Sequence, residues 1–81
     1  MIKFKTKSGS IYIFEDNVLR KEGGNIHLNL EQASLVKVGD PFRCSWRDED
    51  GEPMFFVTSS VTEIIKDDMV KVELLRQEDV N

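Results

Sequence analysis

The chain has a single cysteine, Cys44, and only two prolines in 81 residues. With one thiol no internal disulfide can form, which excludes the disulfide-stapled scaffold of small secreted domains. A structural zinc site normally takes four Cys or His ligands, and here only His27 could join Cys44. No apolar run approaches the roughly 20 residues of a membrane-spanning helix. The N-terminus, Met1-Ile2-Lys3-Phe4-Lys5-Thr6-Lys7, alternates apolar and polar residues where a signal peptide would carry an unbroken apolar core. These absences predict a cytoplasmic protein with no membrane partner. A basic surplus is lacking too: fifteen acidic and eleven basic residues leave a net charge of −4. That balance argues against non-specific nucleic-acid binding.

The length predicts one β domain over residues 1–76 and a polar tail over 77–81. A domain of this size buries only about 60–65% of its unfolded surface. A deep, dry active site is hard to build from so small a core, and homo-oligomerisation is a common way to bury more.

What the chain does have is period-two alternation. Ile2-x-Phe4-x-Thr6 predicts a first strand, closed by a turn at Ser8-Gly9. Ile11 to Phe14 predicts a second, with Ile11 and Ile13 on one face and Tyr12 and Phe14 on the other. Apolar residues on both faces predict a central strand or an outer face covered by a partner. Glu15-Asp16-Asn17 and Gly23-Gly24-Asn25 are turn signals around a short strand from Val18 to Lys21. Ile26-His27-Leu28-Asn29-Leu30 alternates cleanly, with His27 and Asn29 facing away from the apolar side. Glu31 to Leu35 leaves room for one short helical turn, ended by Gly39-Asp40-Pro41. Phe42-x-Cys44-x-Trp46 predicts a strand with Arg43, Ser45 and Arg47 on its opposite face. Asp48 to Glu52 reads as a hairpin tip with Gly51 at positive φ, and Met54 to Thr58 as the returning strand. The last segment has two readings. Val61, Ile64, Ile65, Met69 and Val72 sit at helical spacing, with Ser60 and Glu63 as a capping box. The abundance of Val, Ile and Thr favours two strands turning at Asp67-Asp68. Six to eight short antiparallel strands predict an all-β fold, a small SH3-like barrel or β-roll.

No catalytic constellation stands out, so the expectation is a protein that is not an enzyme and has no cofactor. Asp48-x-Asp50-Gly51 opens like a calcium loop, but the twelfth position is Ser59 where the loop needs a Glu. His27 and Cys44 fall on differently facing strand positions, which favours a surface imidazole and an inert buried thiol. The best ligand candidates are Arg43 and Arg47, which could clamp phosphates or carboxylates by bidentate hydrogen bonds. Arg20 adds charge on another strand. Thr58-Ser59-Ser60 sets three hydroxyls at an expected strand end, where they could bind an anion or simply close a turn. Tyr12 or Trp46 could stack on a nucleobase, although aromatics in a small domain also serve as core or as a homo-oligomer interface.

Several words in the chain form a pattern. They are Phe4-x-Thr6-x-Ser8-Gly9-Ser10-x-Tyr12, Val38-Gly39-Asp40-Pro41, Trp46, and Thr58-Ser59-Ser60-Val61-Thr62-Glu63-Ile64. Together they resemble short uncharacterised proteins encoded by bacteriophages of actinobacteria. In that group position 60 is often proline; here it is Ser60. The resemblance implies a binding protein of the host-cell cytoplasm with a counter-defence role, sequestering a small anionic ligand such as a nucleotide immune signal. Arg43, Arg47 and Arg20 would hold phosphate, Thr58 and Ser59 would add hydrogen bonds, and Tyr12 or Trp46 would stack on the base. The alternative is an inhibitor of a host protein, or a virion accessory protein, acting through a partner-binding surface.

Overall fold

Among the described residues the alternating segments all fold as strands. A computed structural model describes residues 1–67 and holds seven strands. They are β1 (Ile2–Thr6), β2 (Ile11–Glu15), β3 (Val18–Lys21), β4 (His27–Asn29), β5 (Gln32–Ala33), β6 (Pro41–Arg47) and β7 (Pro53–Asp67). The expected Asp67-Asp68 turn, the strand beyond it and the polar tail lie outside the described residues.

Every pairing is antiparallel, in the order β4-β3-β2-β1-β7-β6-β5. The two end strands, β4 and β5, are consecutive in the chain, with only Leu30 and Glu31 between them. Leu30 N–H donates to the Asn17 carbonyl at 2.7 Å, and Glu31 N–H donates to the Ser45 carbonyl at 2.8 Å. The link is therefore tied to both margins of the sheet, and the sheet curls into a half-barrel.

The curl brings aromatic rings from several strands together. Phe42 lies 5.2 Å from Phe4 and 5.7 Å from Phe14, centroid to centroid. Tyr12 stacks on Phe4 at 5.6 Å and meets Phe56 edge-on at 6.0 Å. With Ile2, Leu19, Leu30, Cys44 and Val61 these rings form the core. Each fully buried side chain of this size contributes about 1.5–3 kcal/mol. Tyr12 and Phe14 are thus the inward face of β2, and Ile11 and Ile13 are left half-buried outside.

Two turns follow local chemistry. Asp16 and Asn17 have φ of 52° and 62° between the paired residues Glu15 and Val18. Two left-handed residues make the hairpin turn that matches strand twist, and Asp and Asn tolerate that conformation best after glycine. At the β6–β7 tip Gly51 has φ 79°. There Asp48 Oδ1 accepts the Asp50 and Glu52 N–H groups, each at 2.9 Å.

The region 31–41 corrects the expected helical turn. Ser34 N–H donates to the Arg43 carbonyl at 2.8 Å, as Glu31 N–H does to Ser45. Gln32 and Ala33 pair with Ser45 and Cys44, so the backbone there is extended and no helical turn forms. The expected strand end at Thr58-Ser59-Ser60 is also corrected, because β7 runs unbroken through it. What occurs there is a bulge. From Arg43↔Val57 to Pro41↔Ser60, β7 gains one residue on β6. Against β1, Thr62 and Ile65 are skipped in the same way. Bulges bend and twist a strand, so β7 can serve β6 with its first half and β1 with its second. At the first bulge Phe42 N–H donates to Thr58 Oγ1 at 3.0 Å, and Thr58 Oγ1 donates to the Ser59 carbonyl at 2.7 Å.

Replacing Thr58 with Val keeps its shape but leaves the buried Phe42 N–H without an acceptor. Urea denaturation is expected to show a loss of about 1–3 kcal/mol. Asn17→Ala is expected to cost roughly 1–2 kcal/mol in the same assay, and Asn17→Gly to cost nothing, because only the alanine resists φ 62°.

Candidate functional site

Outward-pointing residues of β6 and β7 meet in register. Arg43 lies opposite Val57, Ser45 opposite Phe55, and Arg47 opposite Pro53. These pairs form the outer face of the sheet, while Cys44 with Phe56 and Trp46 with Met54 point to the other side. On the outer face Phe55 is 74% exposed and Val57 55%. Gln32, Ser34, Arg43, Ser45 and Phe55 line a shallow groove of about 500 Å³ there. Ser34 Oγ accepts the Arg43 N–H at 2.9 Å, which fixes the β5 rim of the groove.

The two arginines of β6 have different states. Arg47 Nε donates to Glu31 Oε2 at 2.8 Å and its Nη1 to the Gly51 carbonyl at 2.9 Å. Both partners are exposed, so the pair adds little stability, but it occupies that guanidinium. Arg43 makes no ion pair among the described residues and is the only cation lining the groove.

The other expected ligand residues are dispersed. Arg20 points outward from β3, opposite Ile13 and His27, with β2, β1 and β7 between it and β6 in the sheet. Tyr12 is in the core. Thr58 is buried, and its hydroxyl is committed to Phe42 and Ser59. Ser59 is exposed, but its Oγ accepts the Ser8 N–H at 3.1 Å, which ties the β1–β2 turn to β7. Trp46 is half-buried on a different cleft, of about 660 Å³, shared with His27, Asn29, Arg47, Asp48 and Asp50. Arg43 and Arg47 share a face, and Arg47 and Trp46 share a cleft, but the expected set as a whole does not converge on one site.

Phe55 is the residue that sequence reasoning missed. Phe55 and Phe56 are adjacent, and alternation alone does not say which of them points out. The signal was the hairpin itself. If Asp48 to Glu52 is the tip and Arg43, Ser45 and Arg47 face outward, then the paired Phe55 faces outward with them.

The remaining reactive groups stay apart. His27 is exposed on β4, and Cys44 is buried on the inward side of β6. Among the described residues no three His, Cys, Asp or Glu side chains gather closely enough to hold a metal ion. No described helix is long and apolar enough to cross a membrane. Comparison with protein-family models, with curated proteins and with solved structures finds no match to this chain.

Burial pushes the Cys44 thiol above its ordinary range and holds it neutral. The neutral thiol is a poor nucleophile, so an aromatic disulfide reagent at pH 8 is expected to label Cys44 only as fast as the chain unfolds. The stability tied to this group is present at neutral pH and is lost as pH rises past the ordinary thiol range, where the unfolded chain ionises first. Rapid stoichiometric labelling of the folded protein would contradict both statements.

Proposed function

We propose that this chain is a non-enzymatic binding protein whose working surface is the outer face of β5, β6 and β7, and that its partner is another protein. The observation that carries the reading is Phe55, 74% exposed on a sheet face beside an Arg43 with no ion pair among the described residues. An aromatic ring next to a free guanidinium, with Val57 adjacent, has the composition of an interface centre, where aromatics and Arg are enriched. The groove is broad and shallow and brings one cation, whereas small-ligand sites are concave and converge several polar groups. The partner would present a carboxylate to Arg43 and apolar surface to Phe55 and Val57. This is the inhibitor class, the alternative to sequestration of a small anionic ligand.

A second reading keeps the same residues. A nucleotide-type anion could stack its base on Phe55 and place a phosphate on Arg43, and the free guanidinium beside an open ring is what favours it. Here Phe55 replaces Tyr12 and Trp46 as the stacking residue.

Pull-downs from bacterial lysate with the full chain test the first reading. Phe55→Ala and Arg43→Glu are each expected to reduce capture of a stoichiometric partner by about tenfold or more, while Arg20→Glu leaves it unchanged. Capture that depends on Arg20 and ignores Phe55 would sink this surface. Native mass spectrometry with cyclic and linear nucleotides separates the two readings. A fixed mass gain that disappears in Arg43→Glu would favour the nucleotide.

A further inference from the structure

The first half of β7 has one occupied edge and one open edge. Arg43 and Ser45 aim their carbonyls at β5, where Ser34 and Glu31 N–H groups bond them at 2.8 Å each. Backbone groups alternate sides along a strand, so Cys44 and Trp46 bond to β7, opposite Phe56 and Met54. On β7 this leaves Phe55 and Val57 with N–H and C=O aimed away from β6. The strand on that side is β1, and it pairs with β7 only from Val61 to Asp67. Beyond that, Lys7 N–H reaches the Ser60 carbonyl and Ser8 N–H reaches Ser59 Oγ. Among the described residues nothing bonds the backbone edge from Pro53 to Val57.

An open edge is a template for another strand, and proteins usually blunt such edges with charge, proline or bulges. This edge has Pro53 at its head and the Thr58 bulge at its foot, and no charge between them. From Pro53 to Thr62 the chain carries no charge, although 32% of its residues are charged. The side chains on the edge are Met54, Phe55 and Val57, at 41%, 74% and 55% exposure. A strand that pairs antiparallel about a twofold axis meets its own sequence reversed, so a charge near the axis would lie close to its like-charged copy. The absence of charge removes that penalty. It also sets aromatic and β-branched residues, a favourable cross-strand pair, on one shared face. Two acidic molecules associate most readily where neither brings charge.

We propose that two copies of this chain pair through the open edge of β7, with the backbone groups of Phe55 and Val57 forming the new ladder. The two half-barrels then share one continuous sheet. Their outer faces lie side by side, with both copies of Phe55 and Arg43 on the same surface. The proposal does not depend on what that surface binds.

Sedimentation velocity and hydrogen exchange on the full chain test it. The expected result is a dimer at tens of micromolar, with slow exchange at the Phe55 and Val57 amides. Val57→Lys brings two like charges close to the twofold axis and is expected to give a monomer with an unchanged circular dichroism spectrum and fast exchange at Phe55. Val57→Thr keeps the β-branched shape without charge and is expected to remain a dimer. A wild-type monomer would overturn the proposal, whether or not the edge amides are protected. So would a dimer that survives Val57→Lys. Arg43→Glu, which tests partner binding, leaves the edge intact and is expected to stay dimeric, so the two claims fail separately.

Discussion

A fifteen-residue strand would run roughly 50 Å if straight, far longer than the seven-residue β6 or the five-residue β1 beside it. β7 fits because it bends, and the bend rests on the Phe42 N–H to Thr58 Oγ1 bond. At a bulge the ladder loses a backbone partner, and a buried N–H left unpaired is costly. The threonine hydroxyl supplies the missing acceptor. Past that point Gly39 N–H donates to the Val61 carbonyl, and Val61 N–H to the Asp40 carbonyl, so the start of β6 grips the far side of the bend. The two halves of the sheet are thereby set at an angle that lets Phe4, Phe14 and Phe42 share one core.

The surface properties follow from the same division of labour. Because β7 gives its first half to β6 and its second to β1, each half is paired mainly on one side. The β6 pairing turns Phe55 and Val57 to the outer face, beside Arg43. The early departure of β1 leaves their backbone edge open. Face and edge are therefore two consequences of one strand changing partners, and both involve Phe55 and Val57.

The candidate site was only partly legible in the sequence. Arg43 and Arg47 were correctly placed on one outward face, since that needs only the alternation of β6. That Arg47 is held by Glu31 was not legible, because the two meet only once β5 lies along β6. The Thr58-Ser59-Ser60 hydroxyls stood out as polar groups where a strand was expected to end. Their role is internal, since Thr58 serves the bend and Ser59 the β1–β2 turn. Tyr12 was considered for base stacking, yet the curl of the sheet turns it onto Phe4 and Phe56.

Whatever depends on neighbours a few residues apart is written in the chain locally. Side chains alternate by backbone geometry, so most strands and their faces were readable, and Asp16-Asn17 and Gly51 marked turns by tolerating positive φ. Whatever depends on distant pairing was settled only when the sheet assembled. The backbone of Glu31 and Ser34 could have entered a helical turn, and bonds to Ser45 and Arg43 drew it into β5 instead. Thr58 to Val61 could have ended a strand, and simultaneous pairing with β6 and β1 kept it continuous. Joining of β4 to β5 across both sheet margins set the curl, and the curl chose which apolar face of β2 became core. Local geometry fixes where a side chain can point, but only closure of the sheet decides what is there to meet it.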